Sequence, residues 1–224
     1  MSAAGIPQRT IWPEQEGRVV AVIDQTRLPH ALEIVRLDSL EQVALAIETM
    51  VVRGAPLIGA SAAHGLALGL AADPSDAGLE SGIARLLYTR PTAVNLQWAL
   101  DRVAAAVRPL PETERAAVAR GVAATICDED VAMCSAIGDH GLPLIEAVWE
   151  AKEHDGVVNV LTHCNAGRLA TVEWGTATAP IYKAHAAGIP VHVWVDETRP
   201  RNQGAALTAW ELGAAGVPFT LVAD

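Results

Sequence analysis

Leu40, Val43, Ala44, Ile47 and Val51 recur at i, i+3, i+4, i+7 and i+11, the spacing of a helix with one apolar face. Ser39 precedes them as an N-cap, and Gln42 three residues later completes a capping box. This helix is predicted to stop at Arg53-Gly54-Ala55-Pro56, where glycine supplies a stop and proline suits the first turn of the next helix. Upstream, Gly17 to Asp24 and Leu28 to Leu37 read as two strands joined by Gln25-Thr26-Arg27, a short antiparallel start. Downstream, a helix over Asp76 to Tyr88 is separated by Arg90-Pro91-Thr92 from another whose Leu96, Leu100, Val103 and Val107 share a face. Thr113 to His154 is helical in composition and is expected in two or three pieces, divided at Gly121 and at Gly141-Leu142-Pro143.

Beyond Asp155-Gly156 the pattern changes to βαβαβ. Strands are predicted at Val157 to Leu161, Pro190 to Val195 and Pro218 to Val222, with helices over Pro180 to Ala187 and Gln203 to Ala215. Right-handed crossovers make such strands parallel. The expected fold is therefore α/β, with a small antiparallel sheet and a helical bundle in residues 1–140 and a parallel sheet in residues 141–224. The carboxyl ends of its strands carry Cys164, then Asp196-Glu197-Thr198-Arg199, then Asp224, all on the edge where open α/β sheets bind ligands. Neither G-x-G-x-x-G nor a Walker lysine motif occurs, so no dinucleotide or nucleoside triphosphate is indicated.

Composition narrows the classes. A formal net charge of -10 argues against nucleic acid and anionic membrane as partners, since both need clustered Lys and Arg. Gly54 to Ala72 is long enough for a bilayer, but its many Ala and Gly residues fit a close-packed interior helix of a soluble bundle better. His64 within it has no second ligand at helical metal spacing and reads as a satisfied core or edge histidine; no metal site is expected. The three cysteines form no C-x-x-C pair, which points to a reducing, cytoplasmic setting. Cys127 and Cys134, seven apart on one helix face, are read as core. Met1 to Ile11 lacks the basic and apolar succession of a secretory leader.

Two features carry candidate chemistry. Cys164, one turn past a strand end, is either a buried inert thiol or, as a thiolate, a base or nucleophile. Arg53 and Arg90 stand before helix N-termini, where unpaired N–H groups and the helix dipole favour an anion. Each either clamps a phosphate, or pairs with a nearby carboxylate or simply faces solvent.

Four segments in order carry a resemblance: Arg53-Gly54-Ala55-Pro56, Arg90-Pro91-Thr92-Ala93-Val94-Asn95-Leu96, Thr162-His163-Cys164-Asn165-Ala166-Gly167, and Asp196-Glu197-Thr198-Arg199-Pro200 with Gln203-Gly204 after it. Together they resemble the methylthioribose-1-phosphate isomerase family, from about Gly17 onward. The resemblance implies a sugar-phosphate aldose–ketose isomerase of methionine salvage, with a helical N-terminal domain and a Rossmann-like C-terminal one, acting as a homodimer. It carries over Arg53, Gly54, Ala55, Arg90 and Gln203 as substrate-binding positions and Cys164 as a catalytic one. No cofactor is expected, because the electrons stay within the substrate. The family's catalytic aspartate, in a Gly-Ala-Asp-Arg setting, and a later Asn-Lys pair have no match; Asp224 ends an earlier strand with no Gly-Ala before it. The sequence therefore reads as the first two-thirds of such an enzyme. Two other readings belong to the same fold family: ribose-1,5-bisphosphate isomerase, which needs a second phosphate site, and non-catalytic subunits of a translation-initiation exchange factor, which are expected to lack the full residue set.

Overall fold

A computed structural model describes residues 6–224, so the first five residues of the stretch read for a leader lie outside it. The chain divides into two compact units, and the division falls inside one helix. One unit comprises Arg9–Thr26 and Glu33–Asp130; the other comprises Val131–Asp224, Arg27–Leu32 and the described residues before Arg9.

The first unit opens with a sheet of β1 (Ile11–Glu14), β2 (Val19–Ile23) and β3 (Ile34–Leu37), in that order and antiparallel throughout. The sequence reading missed β1, four residues interrupted by Pro13 and too short for a period-2 signal. It also began β3 too early: regular pairing does not start until Ile34, where Val22 faces Val35. α1 (Leu40–Glu48) starts as expected, with the Gln42 N–H donating to Ser39 Oγ at 3.4 Å. Gln42 Oε1 accepts from the Asp38 N–H, one residue earlier than a capping box requires. α2 (Ala55–Ala72) is apolar all round and is long enough to cross a membrane, yet 72% of it is buried within the fold, as a core helix must be. α3 (Asp76–Thr89) and α4 (Val94–Val107) pack around it, with Leu86, Leu96, Leu100 and Val103 fully buried.

α5 (Glu112–Ala151) corrects the expectation of two or three pieces: it is one helix of 40 residues that runs through Gly121, Gly141 and Pro143. Gly138 and Gly141 serve packing rather than termination, whereas Gly121 faces open space. A Cβ at Gly138 would crowd the Lys183 stem at 2.9 Å, and one at Gly141 would strike the Pro180 ring.

The second unit holds β4 (Val158–Thr162), α6 (Ala179–Ala186), β5 (Val191–Asp196), a π-helical segment (Gly204–Thr208) continuing into α7 (Ala209–Ala215), and β6 (Phe219–Val222). The strands are parallel in the order β4-β5-β6, with Val160 opposite Val193 and Val195 opposite Leu221. Right-handed crossovers in sequential order place both helices on one face. There Val191, Val193 and Val195 bury against Ile181, Ala184 and Leu212, with Leu142, Ile145 and Trp149 alongside. Each fully buried valine contributes about 1.5–3 kcal/mol relative to an exposed one. The opposite face carries Leu161 at 60% exposure and Trp194 at 40%, and Trp194 Nε1 donates to Asn159 Oδ1 at 2.9 Å.

His64 sits in the middle of α2 with Nε2 3.6 Å from the buried Cys127 Sγ. Burial pushes the imidazole down to about 4 and the Cys127 thiol up to about 12. Between pH 6.5 and about 4 the unfolded chain binds a proton that folded His64 refuses. Stability is thus complete above pH 6.5 and declines as the pH falls toward 4, by about 3 kcal/mol for the whole shift. His64→Gln is expected to flatten this acid limb. Urea midpoints of both proteins across that range would show the difference between the curves closing as the pH falls, and parallel curves would refute the assignment.

Candidate active site

Cys164 lies just past the carboxyl end of β4, and its φ of +57° places it in the left-handed region. A non-glycine residue there costs roughly 1–2 kcal/mol unless its surroundings hold it. Two threonines do so. The Cys164 N–H donates to Thr198 Oγ1 at 2.6 Å, and Thr208 Oγ1 donates to the Cys164 carbonyl at 2.7 Å. Thr198 belongs to the turn after β5, and Thr208 closes the π segment. The side chain of Cys164 is half-buried, neither sealed in the core nor fully in solvent.

The three strand ends are tied together. Asp224, two residues past β6, accepts the Thr198 N–H at 2.9 Å and the Arg199 N–H at 2.7 Å. His163, beside Cys164, places Nδ1 2.5 Å from Asp196 Oδ2. The Asp196 carboxyl is held below its ordinary range, first by its hydrogen bond with Asp224 and then by His163. The sequence expectation that Cys164, residues 196–199 and Asp224 share one sheet edge is thus what the second unit shows. Gln203, half-buried, precedes the π segment, which the Ala205 N–H links to the Glu197 carbonyl at 3.3 Å.

The remaining candidates lie in the first unit. Gly54 is the N-cap of α2 with φ +92°, a conformation that suits glycine, and Ala55 is the first helical residue. Arg53 therefore stands one residue before that cap, as expected. Arg90 does not directly precede a helix: it caps the end of α3, and Pro91, Thr92 and Ala93 intervene before α4, with the Ala93 N–H donating to the Arg90 carbonyl at 2.9 Å. Proline and the tight turn it promotes delay the helix start. Both arginines are half-buried. The second turn of α2 packs closely on the first turn of α4, since a Cβ at Gly59 would come within 2.8 Å of the Asn95 carbonyl oxygen. The helices that follow the two arginine-bearing breaks are therefore packed neighbours.

The sequence reading did not find Thr198 and Thr208 as the holders of the Cys164 turn. Nothing in local spacing relates residue 164 to residues 198 and 208; only the parallel register and the crossover bring them together.

Over all 224 residues the chain is 63% identical to the methylthioribose-1-phosphate isomerase of Methylorubrum populi, of which it covers 61%. The crystal structure of 5-methylthioribose 1-phosphate isomerase from Pyrococcus horikoshii OT3 superimposes with a TM-score of 0.85 at 38% identity, covering 98% of this chain and 61% of that one. A structure of the translation initiation factor eIF-2B, subunit delta, from A. fulgidus gives 0.83 at 37% identity, covering 97% of this chain and 63% of that one. This chain therefore spans about three-fifths of the length of the relatives it matches. Residues 51–224 match the initiation factor 2 subunit family, a stretch that takes in both arginine-bearing breaks, the Cys164 turn and Gln203, and the chain belongs to that family.

Proposed function

We propose that the protein is an aldose–ketose isomerase that converts 5-methylthioribose 1-phosphate into 5-methylthioribulose 1-phosphate in methionine salvage, as a cytoplasmic homodimer. The observation that supports this reading is the whole-chain identity to a relative bearing that enzyme's name. The residues present suit the chemistry. A sugar phosphorylated at C1 cannot open its ring through a free hemiacetal, so the ring oxygen must be protonated as it leaves while the C2 proton is removed. In this reading Cys164, as thiolate, takes the C2 proton or steadies the developing enolate. Arg53 and Arg90, with the backbone of Gly54 and Ala55 at the α2 N-terminus, hold the phosphate. Gln203 orients the sugar hydroxyls from the start of the π segment.

A second reading is favoured by the likeness to the initiation-factor delta subunit: a binding protein without turnover. Incubating the full-length protein with methylthioribose 1-phosphate and, separately, with ribose 1,5-bisphosphate, and following ketose formation by NMR, separates the possibilities. Turnover of the first sugar alone supports the proposal. Turnover of the second makes it a bisphosphate isomerase, and turnover of neither favours the binding role.

Cys164→Ser is expected to lower kcat by about 10²- to 10⁴-fold while leaving substrate affinity within a few fold, because the loss falls on the transition state. Near-normal kcat would return Cys164 to an inert role. Arg53→Ala and Arg90→Ala should instead raise KM by about 10- to 100-fold each, the scale of one charge-assisted phosphate contact. A calorimetric titration with product that shows unchanged affinity in either variant would remove that arginine from the phosphate site.

A further inference from the structure

Glu211 is a carboxylate on the buried face of α7, only 1% exposed, and the chemistry described so far gives it no part. Buried carboxylates are rare unless donors meet their oxygens, and here they do. Oε1 accepts from Asn165 Nδ2 at 2.8 Å, and Oε2 accepts from the Leu169 N–H at 3.2 Å. Asn165 Nδ2 also reaches Thr208 Oγ1 at 3.1 Å, and that hydroxyl is the one donating to the Cys164 carbonyl. The carboxylate packs so closely on the next turn of chain that a Cβ at Gly167 would overlap Oε1.

The direction of this relay follows from its first member. A carboxylate only accepts, so the Asn165 side chain must present its NH₂ end to Glu211. The same NH₂ then donates to Thr208 Oγ1, which leaves the threonine proton free to point at the Cys164 carbonyl. Glu211 thereby sets the polarity of the bond that holds Cys164 in its left-handed conformation. A glutamine cannot do this. Whichever way its amide turns, an N–H₂ faces either the Leu169 N–H or Asn165 Nδ2. If Asn165 flips in answer, its oxygen takes the Thr208 proton and the Cys164 carbonyl loses its donor.

We propose that Glu211 is a positioning residue for Cys164, acting through Asn165 and Thr208 to fix the cysteine turn in its working geometry. The inference rests on the role given to Cys164 above.

The test compares wild type, Cys164→Ser, Glu211→Gln and Thr208→Val in the full-length protein. Readouts are kcat and KM with methylthioribose 1-phosphate, melting temperature, and hydrogen exchange of the peptide spanning residues 163–170. Glu211→Gln is expected to melt within a few degrees of wild type. Exchange in that peptide should rise at least tenfold, and kcat should fall by about 10- to 100-fold with KM nearly unchanged, the scale of a misplaced catalytic group. Thr208→Val should repeat the kcat loss with Glu211 in place, and it decides the matter alone if Glu211→Gln fails to fold. Wild-type kcat in a folded Glu211→Gln or Thr208→Val protein overturns the proposal, as does a kcat loss without faster local exchange. Turnover retained in Cys164→Ser defeats the role of the cysteine instead, while the exchange data still report whether Glu211 holds the turn.

Discussion

Three parallel strands in register bring three carboxyl ends to one edge of a sheet, and the backbone groups that emerge there have no ladder left to join. Each must find a partner or water. In this protein the loops satisfy one another: the Cys164 N–H goes to Thr198, the Thr198 and Arg199 N–H groups go to Asp224, and the Cys164 carbonyl takes the Thr208 hydroxyl. The site is therefore a consequence of pairing register before it is a matter of any single residue. Shifting β5 by one position against β4 would turn Val193 and Val195 out of the core and carry Thr198 away from Cys164. The same apolar burial that fixes the sheet fixes the thiol.

A different constraint governs the first unit. α2 has no polar face, so it must be surrounded, and neighbouring helices can come close enough only where its side chains are small. Contact between Gly59 and the Asn95 backbone is one result, and it sets the second turn of α2 against the first turn of α4. A helix N-terminus carries partial positive charge, and Gly54 at the start of α2 leaves backbone N–H groups there without partners inside the helix.

Elements with strong periodic signals were legible in the sequence. α1 with its Ser39 cap, α3, and the three strands of the parallel sheet lie within a few residues of where pattern reading puts them. Failures came where tertiary contacts overrule local preference. Gly141 and Pro143 look like breaks, but the glycine accepts the Pro180 ring and α5 continues. The four-residue β1 is held by pairing with β2, and that partner is invisible to a local window. Around Cys164, the sharing of one sheet edge by residues 164, 196–199 and 224 was legible from the strand pattern, whereas the left-handed turn and its two threonines were not. Glu211 did leave a signal. It falls four residues after Leu207 and beside Leu212, on the face of α7 that must be buried, and a charged residue in that position calls for buried donors.

Solved relatives with nearly equal structural likeness to this chain bear the names of an isomerase and of an initiation-factor subunit, so the backbone does not separate catalysis from binding. What differs between such roles has to reside in side chains whose loss the fold tolerates. Val193 and Leu212 are not of this kind, because their removal opens the core of the sheet. Cys164 is: it is half-buried and contributes little to packing, and its strained backbone is a cost that folding alone gives no reason to keep. In the proposed reading, the left-handed cysteine and the hydrogen-bond relay that holds it are the part of this sheet edge on which the chemistry depends.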